Sequence, residues 1–193
     1  MLPEPHLRTI LPTLPLVSIP GPWSRVIAFR HLVVVTPQPL WGGAARMKGA
    51  RFTPRSSFDS IYLAGDAVTA LSEVRKIISH PSAPAFTLKM PPQVVLAVNG
   101  VLTDILDLTD PATQSRLGTT RQEITGRWSG TAVSPTQVLA QTAYDVGGIV
   151  GFKYESAQNP NQGDCLVVFS DRLAAPGFLE VHDPDKHIAQ RIP

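Results

Sequence analysis

Residues 51–73 read RFTPRSSFDSIYLAGDAVTALSE. A polar loop with one proline leads into Ser60–Ala64, a short apolar run of strand character. Asp66 then stands as the N-cap of a helix that continues through SEVRKII and stops before Pro81. Its apolar stripe is Ala67, Ala70, Leu71, Val74, Ile77 and Ile78. Arg51, Tyr62 and Glu73 lie eleven residues apart in turn, one each on the loop, the strand and the helix. Whether this strand and helix belong to an alternating series or to a mixed sheet decides the fold class.

The flanking sequence favours the mixed sheet. Further strands are expected at 24–35, 85–89, 94–98, 101–106, 149–154, 165–169 and 178–182, each rich in β-branched or aromatic residues and bounded by Gly, Pro, Asn or Asp. A second clear helix begins with Ser134 as N-cap and Pro135 at the first helical position, and ends at Gly147 and Gly148. A shorter one follows Asp110-Pro111. Strands outnumber helices and do not alternate with them. The expected class is α+β, with mixed or antiparallel sheets and flanking helices.

The 193 residues suit one domain with a full core. At 43% hydrophobic and 17% charged, the chain is too apolar for disorder. A net charge of +2 with no basic stripe argues against direct nucleic-acid binding and is compatible with a small anionic ligand. No apolar run approaches the roughly 20 residues of a membrane span. The single cysteine, Cys165, excludes an internal disulfide and fits a reducing compartment. In the apolar run DCLVVF it reads as a buried core thiol. The five histidines lack ligand spacing with one another or with Cys165, so no metal site is expected. His182 and His187, with Asp183 and Asp185, read as a solvated tail, and Trp128 as core. Asp104 and Asp107 read as caps or turn ligands. Prolines at 3, 5, 12, 15, 20 and 22 forbid a long helix, and the start does not read as a signal peptide. Residues 1–22 are expected to form an extended arm, with the domain over 23–193.

Glu73 falls between Ala70 and Ile77, at the edge of the helix's apolar stripe. A carboxylate there is paired with Arg51 or Arg75, lies exposed at the edge, or opens onto a polar cleft. Tyr62 alternates with Ile61 and Leu63, so it either packs at the sheet surface or offers a ring face for stacking. Arg51 ends the small-residue loop WGGAARMKGARF. It is either an ion-pair partner or a planar fork for phosphate. An arginine for phosphate, an aromatic for a flat ring and a carboxylate near a developing cation together suggest a dinucleotide split at a glycosidic bond. Ser156 follows a strand end, in a loop with Asn159, Pro160, Asn161 and Gly163. It is either a turn residue or a loop residue held by a rigid sheet for function. No GxSxG elbow surrounds it.

WSRV, PLWGGAARMKGARFTP, IYLAGDAVTALSE, LTDILDLTDPATQSRLG, SPTQVLAQTA and GFKYESAQNPNQGDCLVVF, taken in order with Trp128, resemble the RES-domain family over roughly residues 23–172. Where many relatives read GGRWN or GGRFN, this chain reads GARFT. The resemblance implies an ADP-ribosyltransferase-like fold and a cytoplasmic toxin of a toxin–antitoxin pair. It also implies that NAD+ is consumed at the nicotinamide–ribose bond by phosphorolysis or hydrolysis, with inorganic phosphate as a possible co-substrate. Mono-ADP-ribosylation of a protein is the alternative activity, and a non-catalytic binding module the second alternative. The implied partner is an Xre-type DNA-binding antitoxin. The family's residues carry over as Arg51, Tyr62, Glu73 and Ser156. The first site arginine carries over as Arg25, with Arg30 as competitor. By the resemblance, Arg25 and Arg51 would bind the diphosphate or phosphate, Tyr62 the nicotinamide or ribose, and Ser156 the nicotinamide or nucleophile.

Overall fold

The computed structural model describes residues 1–32, 38–78, 91–129, 133–159, 161 and 163–193, and only the backbone of 75–78. The expected strand at 85–89, the end of the one at 24–35 and His80 lie outside the described residues.

Side-chain alternation in three strands sets the layout. β3 (Ser60–Ala64) sends Ile61 and Leu63 into one apolar cluster, and Tyr62 and Ala64 into another on its opposite face. β6 (Asp164–Phe169), antiparallel to β3, divides the same way, with Leu166 and Val168 on the first side and Cys165, Val167 and Phe169 on the other. β5 (Gly151–Glu155) lies antiparallel to β6 and parallel to the last residues of β4 (Gln93–Asp107). The first half of β4 is antiparallel to β2 (Trp23–Ala28), and β2 meets β3 at Ser24 and Ala64. The hydrogen-bonded path therefore returns to its start and wraps around the cluster of Trp23, Ile61, Leu63, Val98, Leu102 and Val168. β1 (Val17–Pro20) and β7 (Phe178–Val181) also pair with β4, and β8 (Arg191–Ile192) pairs with β7. Among the described residues, one parallel pairing joins the antiparallel ones, so the sheet is mixed, one of the two forms expected.

Helices cover the outer face. α3 (Ala67–Ile78) follows β3 directly, and α6 (Pro135–Val146) buries Leu139, Ala140 and Ala143. Ser134 and Gln137 cap α6 reciprocally. Asp110 caps α4 (Pro111–Arg116), as its Asp-Pro start implied, and Thr120 caps α5 (Arg121–Thr125).

Several expectations are corrected. Residues 1–22 do not form an extended arm. Glu4–Ile10 is a helix, α1, with Leu7 fully buried, and Leu11 just beyond it is buried too. Pro3 and Pro5 stand at its N-cap and first turn, where a missing N–H costs nothing. The small-residue loop contains a short helix, α2 (Gly43–Lys48). The strands at 94–98 and 101–106 are one. β4 runs through Asn99 and Gly100 because β7 pairs with both, and Gly100 approaches Phe178 so closely that a Cβ would sit 2.1 Å from its carbonyl oxygen. Trp128 is half-buried rather than core. On α3, Ala70 is buried as expected, but Ala67 of the expected stripe is exposed and Thr69, outside it, is fully buried. No described helix is long and apolar enough to cross a membrane.

Candidate active site

The C-terminal ends of β3 and β5 and the start of β6 meet at one end of the sheet, where Gly65 donates its N–H to the Asp164 carbonyl at 2.8 Å. α3 starts there. Asp66 caps it, accepting from the Thr69 N–H at 2.9 Å. The helix carries Glu73 toward the loop that follows β5, where the Ser156 hydroxyl donates to Glu73 Oε1 at 2.6 Å and the Ala157 N–H donates to the same oxygen at 3.2 Å.

Lone-pair accounting fixes the direction of these bonds. Ser156 Oγ accepts the N–H groups of Gln158 at 3.1 Å and Asn159 at 3.0 Å. With both lone pairs engaged, its proton goes to Glu73. Ser156 is 3% exposed, so solvent does not compete for that bond. It is thus a turn residue and a clamp on Glu73 at once. Both clamping bonds fall on Oε1, and Oε2 accepts no hydrogen bond among the described residues.

Arg51 lies in the loop over the same face, next to Phe52, which is buried in the outer cluster. Its backbone is held by α6, where the Thr136 hydroxyl donates to the Arg51 carbonyl at 2.7 Å and Gln137 Nε2 to the Ala50 carbonyl at 2.9 Å. Its Nη1 donates to the carbonyls of Ile124 and Gly126 at 2.8 and 2.7 Å, capping the C-terminal end of α5. Of the two ion pairs left open for Glu73, the one with Arg51 is replaced by this carbonyl capture, and the Arg75 side chain lies outside the described residues. Tyr62 ties strand to loop. Its hydroxyl accepts the Phe52 N–H at 3.1 Å and shares a proton with Thr53 Oγ1 at 2.9 Å, which in turn lies 2.6 Å from Ser60 Oγ. Thr53 is fully buried in this hydroxyl chain. Burial pushes the Tyr62 phenol up to about 12, against the smaller opposing effect of these bonds.

Two buried groups join the cluster that were not singled out from the sequence as part of it. Tyr154, packed on Phe52 at 4.7 Å between ring centroids, feels the opposite charges of Glu73 and Arg51. Burial is the first cause holding its phenol well above the ordinary value. Burial, aided by the Glu73 charge and opposed by the smaller effects of Ser156 and Tyr154, pushes the Cys165 thiol up to about 12. It is the core thiol expected, 1% exposed. The period of two along β5 was the available signal for Tyr154, which shares a strand face with Ser156. Hydrogen bonds join Ser156 to Glu73 and Tyr62 to the loop just after Arg51, and these contacts make up the candidate site.

The two other arginines stand apart from it. Arg25 alternates with Ser24 and Val26 on β2, which turns it toward the enclosed cluster with Trp23 and Ile27. Its guanidinium donates to the carbonyls of Trp41 at 2.9 Å and Tyr62 at 3.4 Å, and burial lowers it to about 10. β2 and β3 pair at one position only, so Arg25 supplies the donor that the splayed strands do not. Arg30 is exposed on a 3-10 turn over Phe29–His31. Among the described residues no three His, Cys, Asp or Glu side chains gather as metal ligands. Asp107 accepts from Thr109 as a turn ligand, and His182 and His187 are exposed.

A model described as the RES domain matches residues 22–189. No curated protein matches the chain. Among solved structures, one described as the crystal structure of the M. tuberculosis MbcT–MbcA toxin–antitoxin complex aligns with 92% of this chain and 90% of its own. The identity is 24% and the TM-score 0.70. At that identity the likeness is one of fold.

Proposed function

The chain belongs to the RES-domain family, and from that premise we propose that it is the toxin of a toxin–antitoxin pair and acts by cleaving NAD+ between nicotinamide and ribose. The observation that carries this reading is the Glu73 carboxylate, clamped through Oε1 by Ser156 and Ala157 while Oε2 accepts no hydrogen bond among the described residues. Nicotinamide in NAD+ is already cationic, so its departure needs no general acid. What the enzyme must supply is a fixed negative charge beside the ribose as positive charge builds on it. Glu73 Oε2 is that charge, and the ribose hydroxyls are its ground-state partners. Arg51 holds the diphosphate or an incoming phosphate, and the Tyr62 ring stacks on the nicotinamide or ribose. Ser156, its proton committed to Glu73, orients the carboxylate and does not attack. Arg51 spends only Nη1 on carbonyls among the described residues, whereas Arg25 engages both Nη1 and Nη2, which favours a structural role for Arg25 over phosphate contact.

The fold shared with one member of a toxin–antitoxin complex supports an antitoxin as partner. We assign the DNA-binding role to that partner, as an Xre-type protein, since the chain carries only +2 net charge. The test is purified protein with NAD+, with and without phosphate, and products identified by mass. Phosphate-dependent ADP-ribose-1″-phosphate or free ADP-ribose is expected. A labelled protein would redirect the reading to ADP-ribosyl transfer, and no turnover would overturn it.

A further inference from the structure

The Ser156 loop grips α3 at two points, and the second is a buried polar contact one helical turn before Glu73. Asn159 Nδ2 donates to Thr69 Oγ1 at 2.7 Å, with Thr69 fully buried and Asn159 9% exposed. Thr69 Oγ1 donates in turn to Asp66 Oδ2 at 2.5 Å. Asp66, lowered by these bonds, accepts only, so the Thr69 proton is committed to it and the Thr69 lone pair must take the Asn159 N–H. Asn161 N–H donates to Asn159 Oδ1 at 2.9 Å, which fixes which way the amide faces. Gly163 closes the contact. A Cβ there would lie 2.0 Å from Thr69 Oγ1, so neither a side chain nor a water fits between loop and helix.

Thr69 and Glu73 are four residues apart on one helix face. A single grip at Glu73 would let the loop rock about it. A second grip at Thr69 fixes both the distance and the angle between helix and loop. We propose that Thr69 and Asn159, with Gly163 as the space that admits them, are positioning residues. They lock the Ser156 loop onto α3 so that Glu73 Oε1 stays clamped and Oε2 keeps one orientation. The inference rests on the reading of Glu73 as the charge that faces ribose.

Thr69→Val removes the acceptor with little change of shape, Asn159→Ala removes the donor, and Thr69→Ser restores the hydroxyl. Full-length variants are compared by amide hydrogen exchange and by NAD+ turnover. In Thr69→Val and Asn159→Ala the Ala157 and Gln158 amides exchange about tenfold faster or more, while in Thr69→Ser they exchange as in the unaltered protein. kcat falls about 10- to 100-fold, with KM changed by no more than about twofold, and Thr69→Ser restores it. Exchange at Ala157 unchanged in both Thr69→Val and Asn159→Ala overturns the lock. So does faster exchange with unchanged kcat. If Thr69→Val does not fold, Asn159→Ala, altered in a loop, decides alone. Should the unaltered protein turn over no NAD+, the functional reading fails, and the exchange of Ala157 still decides whether the lock exists.

Discussion

Glu73 and Ser156 illustrate how one hydrogen bond sorts two roles. Replacing Glu73 by Gln keeps an acceptor for Ser156 and removes the charge. kcat for NAD+ is expected to fall about 100-fold or more, with the denaturation midpoint little changed. Normal turnover by a folded Glu73→Gln protein would remove Glu73 from the chemistry. Ser156→Ala leaves the charge but frees its orientation, so it should cost kcat less than Glu73→Gln does, about tenfold. An equal or larger loss would argue for direct substrate contact by Ser156. Cys165 offers a check on burial that is independent of function. With its thiol pushed up to about 12 and almost no exposure, it should resist a thiol reagent at neutral pH in the native protein and react fully in denaturant. The sequence placed Glu73 at the edge of an apolar stripe, but not that Thr69 lies beneath the loop. Threonine at that helical position looks solvent-facing until Asn159 and Gly163 arrive from about 90 residues away.

At the scale of elements, local signals worked best where capping chemistry is self-contained. Ser134 with Pro135 defines the start of α6, and Gly147 its end, as expected, and Gln137 completes the cap. Ser134→Ala should cost about 1 kcal/mol, read as a shift of the urea midpoint. The caps of α3 and α4 carry a pH signature. The Asp66 and Asp110 carboxyls are held below their ordinary range, chiefly by the hydroxyls and N–H groups of Thr69 and Thr113. A depressed folded value means the stabilisation is present above the unfolded pKa and is lost as pH falls through the folded one. Both groups are exposed, so the effect is small. The urea midpoint should decline from about pH 5 to about pH 3, and decline less in Asp66→Asn. An equal decline would show that other carboxylates dominate. Elements were misread where distant partners override local preference. Asn99-Gly100 looks like an interruption, yet β7 pairs straight across it.

For the molecule as a whole, the N-terminal segment is part of the core. Leu7 and Leu11 are buried in the cluster that also holds Phe52, Phe152 and Leu139, so α1 closes the helical layer over the sheet. Leu7→Ala should cost about 2–5 kcal/mol, measured by chemical denaturation. A value near zero would mean α1 is a detachable arm after all. The closed path of strand pairings gives the two faces different tasks. The enclosed face is an apolar cluster sealed by strands, and the outer face, under α1, α3 and α6, carries Tyr62, Tyr154 and Cys165 to the site.

The amino-acid sequence alone determined the α+β class, most strands of the second half, the long helices α3 and α6, and the candidates Arg51, Tyr62, Glu73 and Ser156. Each of these depends on periodicity, caps or motif order within a short span. Only the tertiary structure decided that Ser156 clamps Glu73, that Arg51 caps α5, that Arg25 bridges splayed strands, and that the proline-rich start is a core helix. Those outcomes depend on which unsatisfied donors and acceptors meet across the fold, and a hydrogen bond between residues 69 and 159 leaves no trace in the sequence around either.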